Sequence, residues 1–148
     1  MTTAVLTTAA LRPLLFDASA IIAFIRREEG GQLVLDAITS GGRETLVLAV
    51  QMVEVEGKLV SSGSLTPPQV RARLHGLGQL LEVTPFGREA QQAASFYYAR
   101  RRPYNLSLGD ALCLGAAEAL NADVMTAEHG WATLPGLPFA VNLIRQPT

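Results

Sequence analysis

The segment LLFDASAIIAFIRREEG, residues 14–30, contains the pattern on which the rest of the chain is built. It begins with a short apolar run that ends in Asp17, and the residues that follow have the apolar spacing of a helix that stops at Gly30. A buried strand that leads directly into a helix is the repeating unit of α/β folds. The segment therefore predicts an α/β domain in which Asp17 lies at the end of the first strand.

The same alternation continues along the chain. Apolar runs predict further strands at residues 45–50, 81–85, 123–127 and 139–144, and helical patterns lie between them at residues 32–39, 50–63, 67–80, 88–101 and 107–122. We therefore expect a layered structure around a mostly parallel sheet. It should form a single domain over residues 14–148, preceded by a flexible tail at residues 1–13.

Composition narrows the class of protein. Hydrophobic residues make up 49% of the 148 positions and charged residues 17%, which favours an oligomer or a complex. The apolar stretches are too short for a membrane helix, which needs roughly 18–20 residues. The single cysteine, Cys113, cannot form an internal disulfide, and this fits the cytoplasm. The net charge of −1 means that nucleic acid would have to bind at local patches.

Four acidic residues stand where an apolar run meets a turn, or inside an apolar helix: Asp17, Glu54, Asp110 and Glu128. A buried carboxylate is costly unless it is paired, hydrogen-bonded or bound to metal. We expect that no basic residue close in the sequence neutralises these four. Carboxylate oxygens are the ligands that Mg²⁺ and Mn²⁺ prefer. Grouped around water, they suit metal-assisted cleavage of a phosphodiester.

Simpler interpretations exist for single acids. Asp17 could cap the helix that follows it, and Ser107 with Asp110 fits a capping box. Glu54 and Glu56 point about 200° apart around a helix axis, so one of them should face inward. The metal hypothesis therefore depends on the combination of acids.

Four segments together resemble a known family: FDASAII (16–22), VEVEGKL (53–59), LSLGDALCLGAAEAL (106–120) and VMTAEHGW (124–131). In order and spacing they are similar to the PIN-domain ribonucleases, most closely the VapC toxins of bacterial and archaeal toxin–antitoxin pairs. The resemblance runs from about residue 14 to residue 144. It implies a three-layer sandwich with a central, mostly parallel sheet of 4–5 strands, and an endoribonuclease that uses Mg²⁺ or Mn²⁺ to hydrolyse RNA.

By this resemblance, Asp17, Glu54 and Asp110 match the metal-binding acids of the family. Glu128 stands where the family usually has an aspartate, and its longer side chain could bind metal through water instead. Asp123 is a poor substitute for it, because five residues of strand separate the two positions by about 16 Å.

The resemblance also implies supporting residues. Ser19 and Thr126 match hydroxyl positions near the metals, where they would hold the carboxylates. Arg100, Arg101 and Arg102 are candidates for contact with the RNA backbone, or else they are a solvated helix end favoured by the helix dipole.

The implied partners are an RNA substrate, a cognate VapB-type antitoxin whose C-terminal segment lies in the active-site groove, and a second copy of the chain in a homodimer. We expect no membrane partner, because the apolar stretches are too short to span a bilayer. Tyr97, Tyr98 and the first helices are candidate contact surfaces. Tyr104 and Trp131 could stack on an unpaired base, or pack in the core or in an interface.

Two other functions stay open. An acid-metal phosphatase would use Asp17 as its nucleophile, but that class has a second aspartate two residues on, where Ser19 stands. A binding module with the same fold and no activity would use its acids only as helix caps. Metal-dependent RNA cleavage by the pure protein separates the three possibilities.

Overall fold

The computed structural model describes residues 11–146, so most of the predicted tail lies outside the described residues. Within them the sheet has five strands: β1 Leu14–Phe16, β2 Thr45–Leu48, β3 Glu82–Thr84, β4 Asp123–Thr126 and β5 Val141–Leu143. Their order across the sheet is β3-β2-β1-β4-β5, and every neighbouring pair is parallel. The predicted parallel sheet of 4–5 strands is confirmed.

Helices precede or follow each strand. In residues 11–146 they are α1 Ala18–Arg26, α2 Gly31–Thr39, α3 Ala49–Ser61, α4 Pro67–Leu77, α5 Arg88–Ala99 and α6 Leu108–Leu120. All six were expected from the apolar spacing. Two short 3-10 turns, Arg102–Tyr104 and His129–Thr133, were not expected. Over the same described residues, no helix combines the length and the apolar character needed to cross a membrane.

The core has two halves because successive side chains of a strand point to opposite faces of the sheet. Leu14 and Phe16 of β1 pack with α1, α2, α3 and α4 on one face, whereas Leu15 packs with α5 and α6 on the other. On this second face, a Cβ at Gly115 would collide with the backbone of Ala94, so α5 and α6 cross at close range. The three-layer sandwich is thus confirmed.

The residues just before β1 form hydrogen bonds with the segment around the start of β4. The guanidinium of Arg12 donates from Nε to the carbonyl oxygen of Asn121 (2.9 Å), and the amide of Asp123 donates to the carbonyl oxygen of Pro13 (2.8 Å). These contacts tie the chain before β1 to the start of β4. Arg12 and Pro13 are therefore held beside the sheet, and the predicted domain boundary stays a prediction.

The strand order places the carboxyl ends of β1 and β4 side by side. From β1 the sheet grows through β2 to β3 on one side, while β4 and β5 lie on the other. In open parallel sheets, ligands bind in the crevice at the carboxyl ends of the strands where the order reverses. Asp17 follows β1 and Glu128 follows β4, so both lie at this crevice.

Candidate active site

Asp17 is a buried carboxylate that accepts three hydrogen bonds. Its Oδ1 accepts from Ser19 Oγ (2.7 Å) and from the backbone amide of Ala20 (3.2 Å), and its Oδ2 accepts from Thr126 Oγ1 (3.1 Å). The bond from Ala20 confirms that Asp17 caps α1. Burial raises its pKa to about 7, although the three hydrogen bonds oppose the shift. At neutral pH both the acid and the carboxylate are therefore populated.

Ser19 and Thr126 connect the ends of β1 and β4 around this carboxylate. Besides its bond to Asp17, Ser19 Oγ accepts from the amide of Ala127 (2.9 Å). Thr126 Oγ1, which is fully buried, accepts from the amide of Glu128 (2.9 Å). The structure thus places both predicted hydroxyls beside Asp17, where they orient its carboxylate and hold the backbone that carries Glu128.

Asp110 and Glu54 belong to two helices that meet near the start of α6. The amide of Ser107 donates to Asp110 Oδ2 (2.9 Å) and the amide of Asp110 donates to Ser107 Oγ (3.0 Å), which confirms the capping box. A Cβ at Gly109 would lie 2.7 Å from Glu54 Oε1. The absence of a side chain at Gly109 therefore lets Glu54 approach a helix N-terminus, which favours negative charge.

Gln51 is a part of this site that the sequence analysis missed. Only 2% of it is exposed, and it lies one turn before Glu54 on α3. Its Oε1 accepts from the amide of Ala18 (3.1 Å), and its Nε2 donates to the carbonyl oxygen of Gly109 (3.0 Å). One amide group thereby joins the first turns of α1 and α6. The sequence does contain one sign of this role, because Gln51 is a polar residue three positions before Glu54 and therefore lies on the same face of the helix.

The expectation that no basic residue neutralises the acids is wrong. Lys58 follows Glu54 by one helical turn, and its Nζ lies 2.8 Å from Glu54 Oε2. The pKa of Lys58 is raised, mainly by this hydrogen bond and to a smaller extent by the charges of Glu128 and Asp17. Four-residue spacing brings two side chains together on one helix face, so this partner was visible in the sequence.

The expectation that either Glu54 or Glu56 faces inward is also wrong. Both side chains are 35% exposed. They differ in their neighbours, because Glu56 forms an ion pair with Arg71 of α4 (Oε1 to Nη2, 3.4 Å). The two acids of α3 are therefore equally exposed but form ion pairs with different residues.

Glu128 lies at the exposed rim of the crevice, immediately before the 3-10 turn. Its pKa is raised, chiefly by partial burial and then by the negative charges of Asp110 and Glu54, while Lys58 opposes the shift. Glu128 in turn contributes to the raised pKa of Asp17. Glu128 therefore interacts electrostatically with each of the other three predicted acids, and we call the four the acidic pocket.

The chemistry of the acidic pocket fits a hard divalent cation, because all of its donors are oxygen atoms. Asp17 Oδ2 accepts only one hydrogen bond from the described residues and can accept a further contact. Within residues 11–146, however, no three His, Cys, Asp or Glu side chains are already arranged around a metal position. Binding would therefore require the more exposed side chains, Glu54 and Glu128, to reorient.

Asp123 lies at the other end of β4, away from the acidic pocket. It forms ion pairs with Arg43 (Oδ2 to Nη2, 2.9 Å) and Arg12 (Oδ1 to Nε, 3.6 Å). The predicted position of Asp123 at the far end of the sheet is confirmed, and its being a poor substitute for Glu128 stays a prediction.

The three consecutive arginines end α5 and lead toward α6. The guanidinium of Arg100 lies 3.6 Å from the ring centre of Phe96, and that of Arg101 lies 4.2 Å from the ring centre of Tyr98. Both also donate to the last carbonyl groups of the helix, as a helix-end role predicts. Arg102 is exposed. Contact of the three with RNA stays a prediction.

Trp131 cannot stack on a base, so that alternative is wrong. It is 2% exposed and packs in the core half that contains Leu106 and Phe139. Its indole Nε1 has no hydrogen-bond partner within the described part of the chain. Tyr104, in contrast, is exposed in the turn after α5.

Cys113 is fully buried, as expected of a core residue.

Comparisons with known proteins indicate one family. The PIN-domain family model matches residues 14–137. Ribonuclease VapC1 of Mycobacterium tuberculosis is 25% identical over 134 residues, which cover 87% of this chain and 96% of that protein.

Two solved structures share the fold. VapBC2 from Rickettsia felis, bound to a DNA fragment from its promoter, has a TM-score of 0.69 at 14% identity. The matched region covers 88% of this chain and 98% of the chain in that structure. DNA-bound VapBC from Salmonella typhimurium has a TM-score of 0.69 at 17% identity, over 91% and 100% of the two chains. Since the family model spans most of the sequence, this chain belongs to the PIN-domain family.

Proposed function

We propose that this protein is an endoribonuclease that hydrolyses phosphodiester bonds of single-stranded RNA and depends on Mg²⁺ or Mn²⁺. The observation that carries the proposal is the acidic pocket at the carboxyl ends of β1 and β4, in a chain of the PIN-domain family. The relative from M. tuberculosis, which bears the name ribonuclease, supports the reaction class.

The acids of the pocket would hold the metal. Asp17, Asp110 and Glu54 are the proposed ligands, and Glu128 completes the pocket directly or through water. When bound, the cation supplies a Lewis acid that activates water and neutralises charge on the phosphate. Ser19 and Thr126 keep the Asp17 carboxylate oriented through their hydrogen bonds.

The segment between α5 and α6 is the proposed path of the RNA. Arg100, Arg101 and Arg102 supply positive charge there, and exposed Tyr104 offers an aromatic face for an unpaired base. The segment leads directly to the start of α6, which carries Asp110. A phosphate backbone held there would lie close to the acidic pocket.

We further propose that the protein is the toxin of a VapBC-type toxin–antitoxin pair and acts in the cytoplasm as a homodimer. The solved complexes of the same fold support this role. The surface supports a protein partner as well, because large apolar side chains are exposed on several helices, among them Leu33, Val53, Phe96 and Leu108.

Cleavage of a labelled single-stranded RNA by the purified chain tests the enzymatic proposal. Asp17→Asn, Glu54→Gln and Asp110→Asn should each lower the rate by at least about 100-fold, because each removes a negative charge from the proposed metal site. Asp36→Asn is the matched control, since Asp36 is an exposed acid on α2. The parent and this control should cleave with Mg²⁺ or Mn²⁺ and stop on addition of EDTA.

Other outcomes of the same assay would favour the alternatives. Retained RNA binding with no cleavage under any metal would identify a binding module. Hydrolysis of p-nitrophenyl phosphate, lost in Asp17→Asn and without RNA cleavage by the parent, would identify a phosphatase.

A further inference from the structure

The basic residue at the acidic pocket is the only lysine in a chain that has eleven arginines. Its Nζ contacts Glu54 Oε2 at 2.8 Å, yet 61% of the Lys58 side chain is exposed. The other carboxylate oxygen of Glu54 faces Gly109 at the start of α6. One oxygen atom of Glu54 therefore contacts Lys58 on the same helix, and the other faces the helix that carries Asp110.

An ammonium group suits a contact that must be broken. It is a compact charge on a flexible four-carbon stem, whereas a guanidinium binds a carboxylate through a planar fork with two parallel hydrogen bonds. Exposed ion pairs with four-residue spacing also contribute little to stability. Lys58 can therefore neutralise Glu54 and still release it at small cost.

The influence of Lys58 extends beyond Glu54. Its positive charge opposes the rise in the pKa of Glu128 that burial and Asp110 cause, and the charges of Glu128 and Asp17 act on Lys58 in return. Like charges that are grouped in a pocket repel one another. The exposed Lys58 ammonium interacts with three of these acids and offsets this repulsion.

We propose that Lys58 is a tethered counter-ion of the acidic pocket and competes with the divalent cation for Glu54. The inference rests on the proposed metal-dependent function. Without metal, the ammonium occupies Glu54 Oε2. With metal, Glu54 turns away from Lys58 and joins Asp17 and Asp110. This accounts for the lack of any ready-made group of three metal-binding side chains in residues 11–146.

Calorimetric titration of the full chain with Mn²⁺ alone, after removal of metal and without RNA, tests the competition. Lys58→Met removes the charge and keeps an unbranched side chain, so the Kd for Mn²⁺ should fall about three- to tenfold. Lys58→Arg keeps the charge and binds carboxylates more firmly, so its Kd should be unchanged or higher. The Tm of Lys58→Met in EDTA should fall, and its rise on saturation with Mn²⁺ should exceed that of the parent.

Arg71→Met is the matched control, because it removes the cation that pairs with Glu56, the other acid of α3. Its Mn²⁺ affinity should equal that of the parent. An unchanged affinity in Lys58→Met would contradict the proposal, and a weaker one would mean that Lys58 positions Glu54 for the metal. Tighter binding in Lys58→Arg would exclude charge as the cause.

The proposed function and this inference fail in different ways. If the parent binds no Mn²⁺, the metal-dependent function is wrong and the inference falls with it. If the parent binds Mn²⁺ and Lys58→Met binds it no more tightly, only the role of Lys58 is wrong.

Discussion

At the scale of the residue, Asp17 combines deep burial with a charge that the proposed chemistry needs. Its pKa is raised from 3.8 to about 7, chiefly by burial. Between these two values the folded chain holds a proton that the unfolded chain has lost. The stability that this group contributes is therefore complete below pH 3.8 and is lost as the pH rises through 7.

Asp17→Asn should consequently gain stability relative to the parent as the pH rises. Without metal, the free energy of unfolding of the variant minus that of the parent should increase by roughly 2–3 kcal/mol from pH 5 to pH 8, because only the parent buries a charged group at this position. Thermal melts in EDTA measure this, at roughly 2–4 °C per kcal/mol for a domain of this size. A difference that does not grow with pH would contradict the raised pKa.

Glu128 should contribute less to metal binding than Asp17. It lies at the exposed rim, and its extra methylene leaves more rotamers to be lost on binding. Glu128→Ala should therefore retain measurable cleavage but require more Mn²⁺, and Glu128→Asp should keep or improve activity. A Mn²⁺ titration of the cleavage rate compares them, with Asp17→Asn as the inactive reference. If Glu128→Ala is equally inactive at saturating metal, Glu128 is a full ligand.

At the scale of the element, the pocket depends on one side chain that joins three helices. Gln51 of α3 accepts from Ala18 in the first turn of α1 and donates to Gly109 in the first turn of α6. These turns carry two of the proposed ligands. A buried donor or acceptor left without a partner costs about 1–3 kcal/mol, so the loss of this amide disturbs both turns.

Gln51→Leu should therefore lower the Tm and weaken Mn²⁺ binding together. Gln51→Glu should be at least as harmful, because a carboxylate cannot donate to the carbonyl oxygen of Gly109. Melting curves and Mn²⁺ titrations measure the two effects, with Gln92→Leu on the exposed side of α5 as the control. A loss of stability at parental Mn²⁺ affinity would limit Gln51 to a role in the fold.

The elements themselves could be predicted because their signals are local. Each strand is a short apolar run bounded by turn residues, and each helix has its own apolar spacing. The 3-10 turn His129–Thr133 has no such period, so the sequence pattern predicts no helix there. The contacts of Arg12 could not be predicted from a local pattern, because they are made with residues more than a hundred positions away.

The acids could be predicted for a related reason. The carboxyl ends of parallel strands share one edge of the sheet, so Asp17 and Glu128 had to lie there. The bonds of Gln51 span 33 and 58 positions and depend on helix packing, which no local pattern encodes. Lys58 is different, because its four-residue spacing from Glu54 was available and was overlooked.

At the scale of the whole molecule, the proposed activity should be harmful in a cell. Induced expression of the chain alone should arrest growth, because RNA is the proposed substrate, and a co-expressed cognate antitoxin should relieve the arrest. Asp110→Asn should be harmless, and the control Asp36→Asn should be as toxic as the parent. Growth curves at matched protein levels measure this. Full toxicity of Asp110→Asn would trace the harm to something other than catalysis.

The central strand, β1, is synthesised before the other four strands, but one of its two neighbours, β4, is synthesised much later. β1 lies between β2 and β4, and the hydrogen bond from Thr126 to Asp17 spans 109 positions. A ribosome must therefore translate past residue 126 of 148 before the two sides of the crevice can meet. Until then the nascent chain carries Asp17, Glu54 and Asp110 without a pocket. An unfinished chain that ends before Thr126 therefore lacks the hydroxyl that orients the Asp17 carboxylate, and the acidic pocket cannot be completed in it.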